Sequence, residues 1–159
     1  MIVKPLEAPS SDMKDSGASA DPTYSILAFF SIKIPEAYRP FVMSKWLRSL
    51  RHGNPMIKKI PSVDFHVNYK PYLEKLLGAP DSVTRFAVLS DDSDVILGFS
   101  TSRGATLDYI YVHVDARKTG IARSLMPKGI ENFTHITQTS WSIWRGNEKY
   151  RHLTFNPFA

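Results

Sequence analysis

Apolar positions along the chain change their period several times, and each change marks an element. Residues 24–34 are dense in β-branched and aromatic types, and Phe30, Ile32 and Ile34 alternate with Ser31 and Lys33, which predicts a first strand. Pro35 and Glu36 suit a helix start, since Pro is tolerated in the first turn and Glu favours the positive end of the dipole. Tyr38, Phe41, Val42, Lys45, Trp46, Ser49 and Leu50 then recur at helical spacing, predicting an amphipathic helix that ends at Gly53. A second helix is expected over 68–77, with Pro71 in its first turn and Gly78 as its stop; His66, just ahead of it, reads as a surface or capping residue. Two strands follow over 83–89 and 94–102, joined as a hairpin by the polar turn Ser90-Asp91-Asp92-Ser93.

The stretch 107–131 organises the rest. It reads as a strand over 107–114, a basic turn over 115–122 and a helix over 123–131. A further strand is expected over 133–140, parallel to its predecessor because a helix intervenes. The tail 141–159 is aromatic and basic, with Leu153-Thr154-Phe155 as a candidate last strand. The fold class expected is α/β (α+β), a single domain over 23–159 whose mixed central sheet is flanked by helices. Residues 1–22, rich in Pro and Ser, read as a flexible leader.

Composition trims the functions on offer. A chain of 159 residues holds one domain with a real core. The absence of Cys excludes disulfides, thiolate-bound metal and thiol catalysis, and no metal site is expected. No apolar run approaches the roughly 20 residues that cross a bilayer, and no apolar segment follows Lys4, so a cytoplasmic location is expected. The net charge of +5 suits polyanionic partners, and equally serves solubility.

A strand that feeds a helix through a basic turn gathers free backbone N–H groups, the positive end of a dipole and cations in one place. Here Arg117, Lys118 and Arg123 supply the cations and Gly120 permits close backbone approach, so the turn reads as an anion site of phosphate type. A second basic group, Lys45, Arg48, Arg51 and His52 with Lys58 and Lys59, has two readings. It neutralises a helix C-terminus, or it forms a rim for an acidic partner. Nucleic acid fits the second reading, with Trp141 or Trp144 stacking a base.

The segment 112–122 resembles the acyl-coenzyme A signature of the Gcn5-related N-acetyltransferases. That signature is an apolar strand, then Gln or Arg, two residues, Gly, one residue, and Gly or Ala; Arg117, Gly120 and Ala122 occupy the three positions. A hairpin before it and an apolar helix after it add to the likeness, which extends over about residues 83–140. The resemblance implies acetyl-coenzyme A as cosubstrate, with its pyrophosphate wrapped by the backbone of Lys118, Thr119, Gly120, Ile121 and Ala122. It also implies that the backbone of Tyr111, Val112, His113 and Val114 pairs with the pantetheine arm, that this strand splays from its neighbour, and that an N–H near Val112 polarises the acetyl carbonyl. Family members often carry a carboxylate base on this strand and a Tyr acid after the next one. Asp108 and Tyr150 are the candidates at those places. Val114 stands where Pro is common and Lys118 where Gly is common.

The implied activity is transfer of an acetyl group to an amine, such as a protein lysine or N-terminus or a small amine. Without Cys it would proceed directly within a ternary complex. Two alternatives stay open: a Mom-type DNA-base-modifying or nucleic-acid-binding protein on a similar fold, compatible with phage origin, and an inactive binding module.

Overall fold

The alternating strand at the start of the chain pairs with the hairpin, and the four segments together make one meander. In the computed structural model, which describes residues 23–30 and 33–159, β1 (Tyr24–Phe30), β2 (Ser82–Leu89), β3 (Ile96–Arg103) and β4 (Thr106–Val112) are successively antiparallel. β5 (Asn132–Phe133) and β6 (Thr154–Phe155) continue the sheet in parallel, in the order β1-β2-β3-β4-β5-β6. The helices are α1 (Tyr38–Gly53), α2 (Ser62–Gly78), α3 (Ile121–Leu125) and α4 (Gln138–Gly146). The sheet is therefore mixed and flanked by helices, as expected. The leader expected over 1–22, and Ser31 and Ile32 of the predicted first strand, lie outside the described residues.

Strand alternation sends neighbouring side chains to two different cores. Phe86, Val88, Phe99 and Tyr109 pack on one face against Val42, Trp46 and Leu50 of α1 and Phe65, Leu73, Leu76 and Leu77 of α2. Ala87 points the other way, toward Ile121 and Leu125 of α3, with Ile26, Leu97, Ile110 and Val112 around them. A third cluster, Leu107, Ile130, Phe133 and Leu153, fills the space under α4. The α1 positions are spaced four apart, so a single stripe is buried.

Three elements differ from the sequence expectation, each for a local reason. α2 begins at Ser62, six residues early, and carries Pro71 and His66 within it. Pro71 and Val67 are both exposed, so the ring and the carbonyl it leaves unpaired face water. α3 stops at Leu125 instead of running to residue 131, because Met126 precedes Pro127 and takes an extended conformation (ψ 118°). The strand expected over 133–140 ends at Phe133, and α4 replaces its second half. Thr137 and Ser140 form a capping box there, each side chain bonding the other's backbone N–H.

Phe99 is fully buried where the helices meet the sheet and contacts the rings of Phe41, Phe86, Tyr109 and Tyr111. Phe99→Ala is expected to lower unfolding stability by about 3–5 kcal/mol in urea titration.

Candidate active site

One extra residue in β4 shapes the site. Thr101 pairs with Tyr109 and Ser102 with Leu107, which leaves Asp108 as a bulge opposite β3. A bulge bends its strand and breaks the alternation of side chains. At the same place the neighbour on the other edge departs. β4 and β5 share two residue pairs, Thr106 with Asn132 and Leu107 with Phe133, and β4 then continues to Val112 with no ladder partner on that edge among the described residues.

The exposed edge of β4 has a defined polarity. His113 donates its backbone N–H to Leu97 O at 2.7 Å, so the alternation turns the N–H and C=O of Val112 away from β3. The Arg117 Nε contact with Val112 O at 3.4 Å agrees with this direction. The opening between the strands is a cavity of about 140 Å³, whose lining includes Asp108, Ile110, His135, Ile143, Trp144 and Tyr150.

The turn after β4 is held by its own side chains and backbone. Thr119 donates to Ala116 O at 2.7 Å, and the Arg117 N–H bonds Val114 O. Lys118 (φ 67°) and Gly120 (φ 87°) both occupy the left-handed region. A Cβ on Gly120 would find nothing nearer than the Tyr24 hydroxyl at 4.0 Å, so conformation and not space requires glycine there. The backbone N–H groups of residues 118–122 have no hydrogen-bond acceptor among the described residues. α3 is only five residues long, so these N–H groups, more than a macrodipole, make the turn attractive to an anion. Arg117, Lys118 and Arg123 are exposed beside them. Tyr24 Oη bonds Ser124 Oγ at 2.8 Å and Ser100 Oγ donates to Leu125 O at 2.6 Å, which fixes α3 to the sheet.

The fold as a whole is shared with known structures. A solved structure from Pyrococcus furiosus named as an acetyl transferase matches at TM-score 0.51 and 16% identity, over 84% of this chain and 82% of that one. The fold is that of the Gcn5-related N-acetyltransferases. Two further similar structures are apo YjaB from Escherichia coli (TM-score 0.42, 20% identity, 65% of this chain) and a ribosomal-protein-alanine N-acetyltransferase from Brucella melitensis (TM-score 0.40, 20% identity, 84% of this chain). The chain covers 61% of YjaB and 76% of the Brucella protein. No family model matches the chain, and no curated protein matches it in sequence.

On this acetyltransferase fold, the two catalytic candidates come together: Asp108 and Tyr150 line one cavity although 42 positions separate them. Asp108 is fully buried at its side chain. Arg103 donates to it through Nε and Nη2, both at 2.7 Å, and Thr134 Oγ1 lies 3.0 Å from Oδ1. The basic residues of α1 and its connector divide. Arg51 donates to Ile57 O at 2.7 Å and stacks on Phe65, a structural use, and Lys45 lies over the Phe41 and Tyr111 rings. Arg48, Lys58 and Lys59 are exposed. Trp141, Trp144, Arg145 and Arg151 line a separate open pocket beside α4.

Sequence reasoning misses His135, which falls inside the strand expected over 133–140. It lies in the cavity, edge-on to Trp46 (5.2 Å between centroids) and 5.9 Å from the Tyr72 ring. Burial pushes its imidazole down to about 4; the Asp108 charge and carbonyl oppose this shift and Arg103 adds to it. No motif in the sequence marks it, because the parted edge that exposes it to the cavity is a tertiary feature.

The folded value of about 4 lies below the ordinary 6.5, so between those limits the unfolded chain binds more protons and stability falls as pH falls. His135 should contribute a loss on the order of 2–3 kcal/mol between pH 7 and 4.5. Urea titration at both values is expected to show a smaller acid loss for His135→Gln than for the wild type by about that amount.

Proposed function

We propose that the protein is an acetyl-coenzyme A-dependent N-acyltransferase that passes an acetyl group directly to a primary amine, the class that includes a protein lysine or N-terminus. The observation that carries this reading is the continuity of the parted β4 edge with a left-handed turn whose N–H groups are unclaimed. A ligand with an extended amide-bearing arm and a pyrophosphate matches both parts at once.

The residues present fit such a ligand. Backbone N–H groups of Lys118 to Ala122, with Arg117, Lys118 and Arg123, would hold the phosphates, and Ile110, Met126, Ile143 and Trp144 offer an apolar wall to the arm. The bound thioester supplies an activated acyl carbon with a thiolate as leaving group. Val112, whose N–H points off the sheet edge, is placed to donate to the acyl oxygen as negative charge develops on it. Tyr150 lines the cavity, where its hydroxyl would supply a proton to the departing sulfur, and the Asp108–Thr134–His135 cluster would take one from the amine.

Isothermal calorimetry with acetyl-coenzyme A is expected to show one-site binding. Gly120→Val should weaken it at least tenfold, since a β-branched residue strains a φ of 87° and distorts the turn. Absence of binding by the wild type, or undiminished affinity in the variant, counts against the reading.

A further inference from the structure

The cavity holds one buried polar cluster whose hydrogen bonds can be assigned from donor and acceptor capacity alone. Asp108 accepts two bonds from Arg103 and has no donor to offer as a carboxylate. Thr134 Oγ1 is 3.0 Å from Asp108 Oδ1 and 2.8 Å from His135 Nδ1. A hydroxyl has one proton. It must go to the carboxylate, because otherwise two oxygens carrying only lone pairs would face each other at 3.0 Å. The short contact to His135 is then a bond that Nδ1–H donates to Thr134. The hydrogen therefore sits on Nδ1, and Nε2 carries the free lone pair. Among the described residues Nε2 makes no side-chain hydrogen bond, and His135 lines the cavity.

We propose that His135 Nε2 is the group that accepts the proton of the attacking amine, and that Asp108 and Thr134 are positioning residues that hold it in the competent tautomer. This rests on the acyltransferase reading above and deepens it. Asp108 is a poor candidate for the task itself: its side chain has no exposed surface, and three hydrogen bonds occupy its oxygens. His135 is also held in place from outside the cluster. The Thr134 N–H bonds Leu107 O at 3.2 Å and the Asn54 side chain donates to Ile136 O at 3.2 Å, so the segment after β5 is tied to β4 on one side and to α1 on the other. Trp46 and Tyr72 close around the ring, and the charged groups acting on it are Asp108 and Arg103. Such an imidazole stays neutral through the neutral range, so its lone pair is available whenever the amine arrives.

In the step itself the neutral amine nitrogen attacks the acyl carbon, a C–N bond forms and the C–S bond breaks. The amine proton passes to Nε2, the Tyr150 hydroxyl protonates the thiolate, and His135 then returns its proton to the tyrosinate. The products are an amide and a free thiol.

The first test is long-range 1H–15N NMR of the imidazole rings, with the His135 signals identified through their loss in His135→Gln. Between pH 5.5 and 8, His135 should show the neutral Nδ1–H form; an Nε2–H form, or a protonated ring at pH 7, overturns the proposal. Thr134→Val should release the tautomer, and Thr134→Ser should restore it. The second test uses acetyl-coenzyme A with polylysine as the amine, together with calorimetry of acetyl-coenzyme A alone. His135→Gln should lower kcat at least 100-fold with unchanged cosubstrate affinity, whereas full transfer by this variant refutes the base role. Failure of the wild type to bind acetyl-coenzyme A would instead defeat the acyltransferase reading and the base role with it, while the tautomer measurement still decides the hydrogen-bond assignment.

Discussion

A carboxylate buried at a β-bulge is the constraint on which the site depends. Asp108 has no exposed side-chain surface, and an unpaired charge in that position would cost several kcal/mol. Arg103, at the end of the adjacent strand, supplies a two-pronged bond and donates in addition to the backbone oxygen of Ala159 at 2.8 Å. The pair therefore ties β3, β4 and the last described residues together at the point where β4 bends. Because the bulge turns Asp108 toward Thr134, it also couples β4 to the segment after β5, and it lies where the two strands cease to pair. The opening is thus braced by polar contacts at its closed end and left free along the β4 edge.

The turn that follows β4 shows a second balance. Lys118 occupies a conformation that side chains disfavour, two residues before a glycine in the same region, and these two left-handed residues turn the N–H groups around them away from internal acceptors. With α3 cut short by Met126 and Pro127, the turn owes little to a helix dipole. Its rigidity comes from Thr119 bonding Ala116, from Tyr24 reaching Ser124 out of β1, and from Ser100 beneath Leu125. Two separate strands and the turn itself thus hold an exposed backbone in shape.

Among the described residues the basic side chains serve several separate ends. Arg51 and Arg103 serve structural bonds, Lys45 covers aromatic rings, and Arg117, Lys118 and Arg123 stand beside the turn. A net charge of +5 consequently says less about partners than the arrangement of a few of these groups does.

Local pattern determined the hairpin, the stripe of α1 and the strand–turn–helix unit, because each depends on residues close together in the chain. Asp108 and Tyr150 were legible as candidates through family resemblance, and they do share a cavity. Other features were decided by tertiary structure. α2 runs through Pro71 because that residue faces water while Phe65 and Leu73 are buried, a balance that propensity alone does not contain. The segment after Phe133 reads as a strand from its composition, yet α4 forms because a capping box and packing beneath Trp144 outweigh that tendency. His135 was invisible for the deepest reason. Its neutral state is set by burial against the opposing charge of Asp108, and Thr134 links its Nδ1 to that carboxylate, which a one-residue bulge aims at them; counting along the chain cannot reveal which side chain such a bulge re-aims.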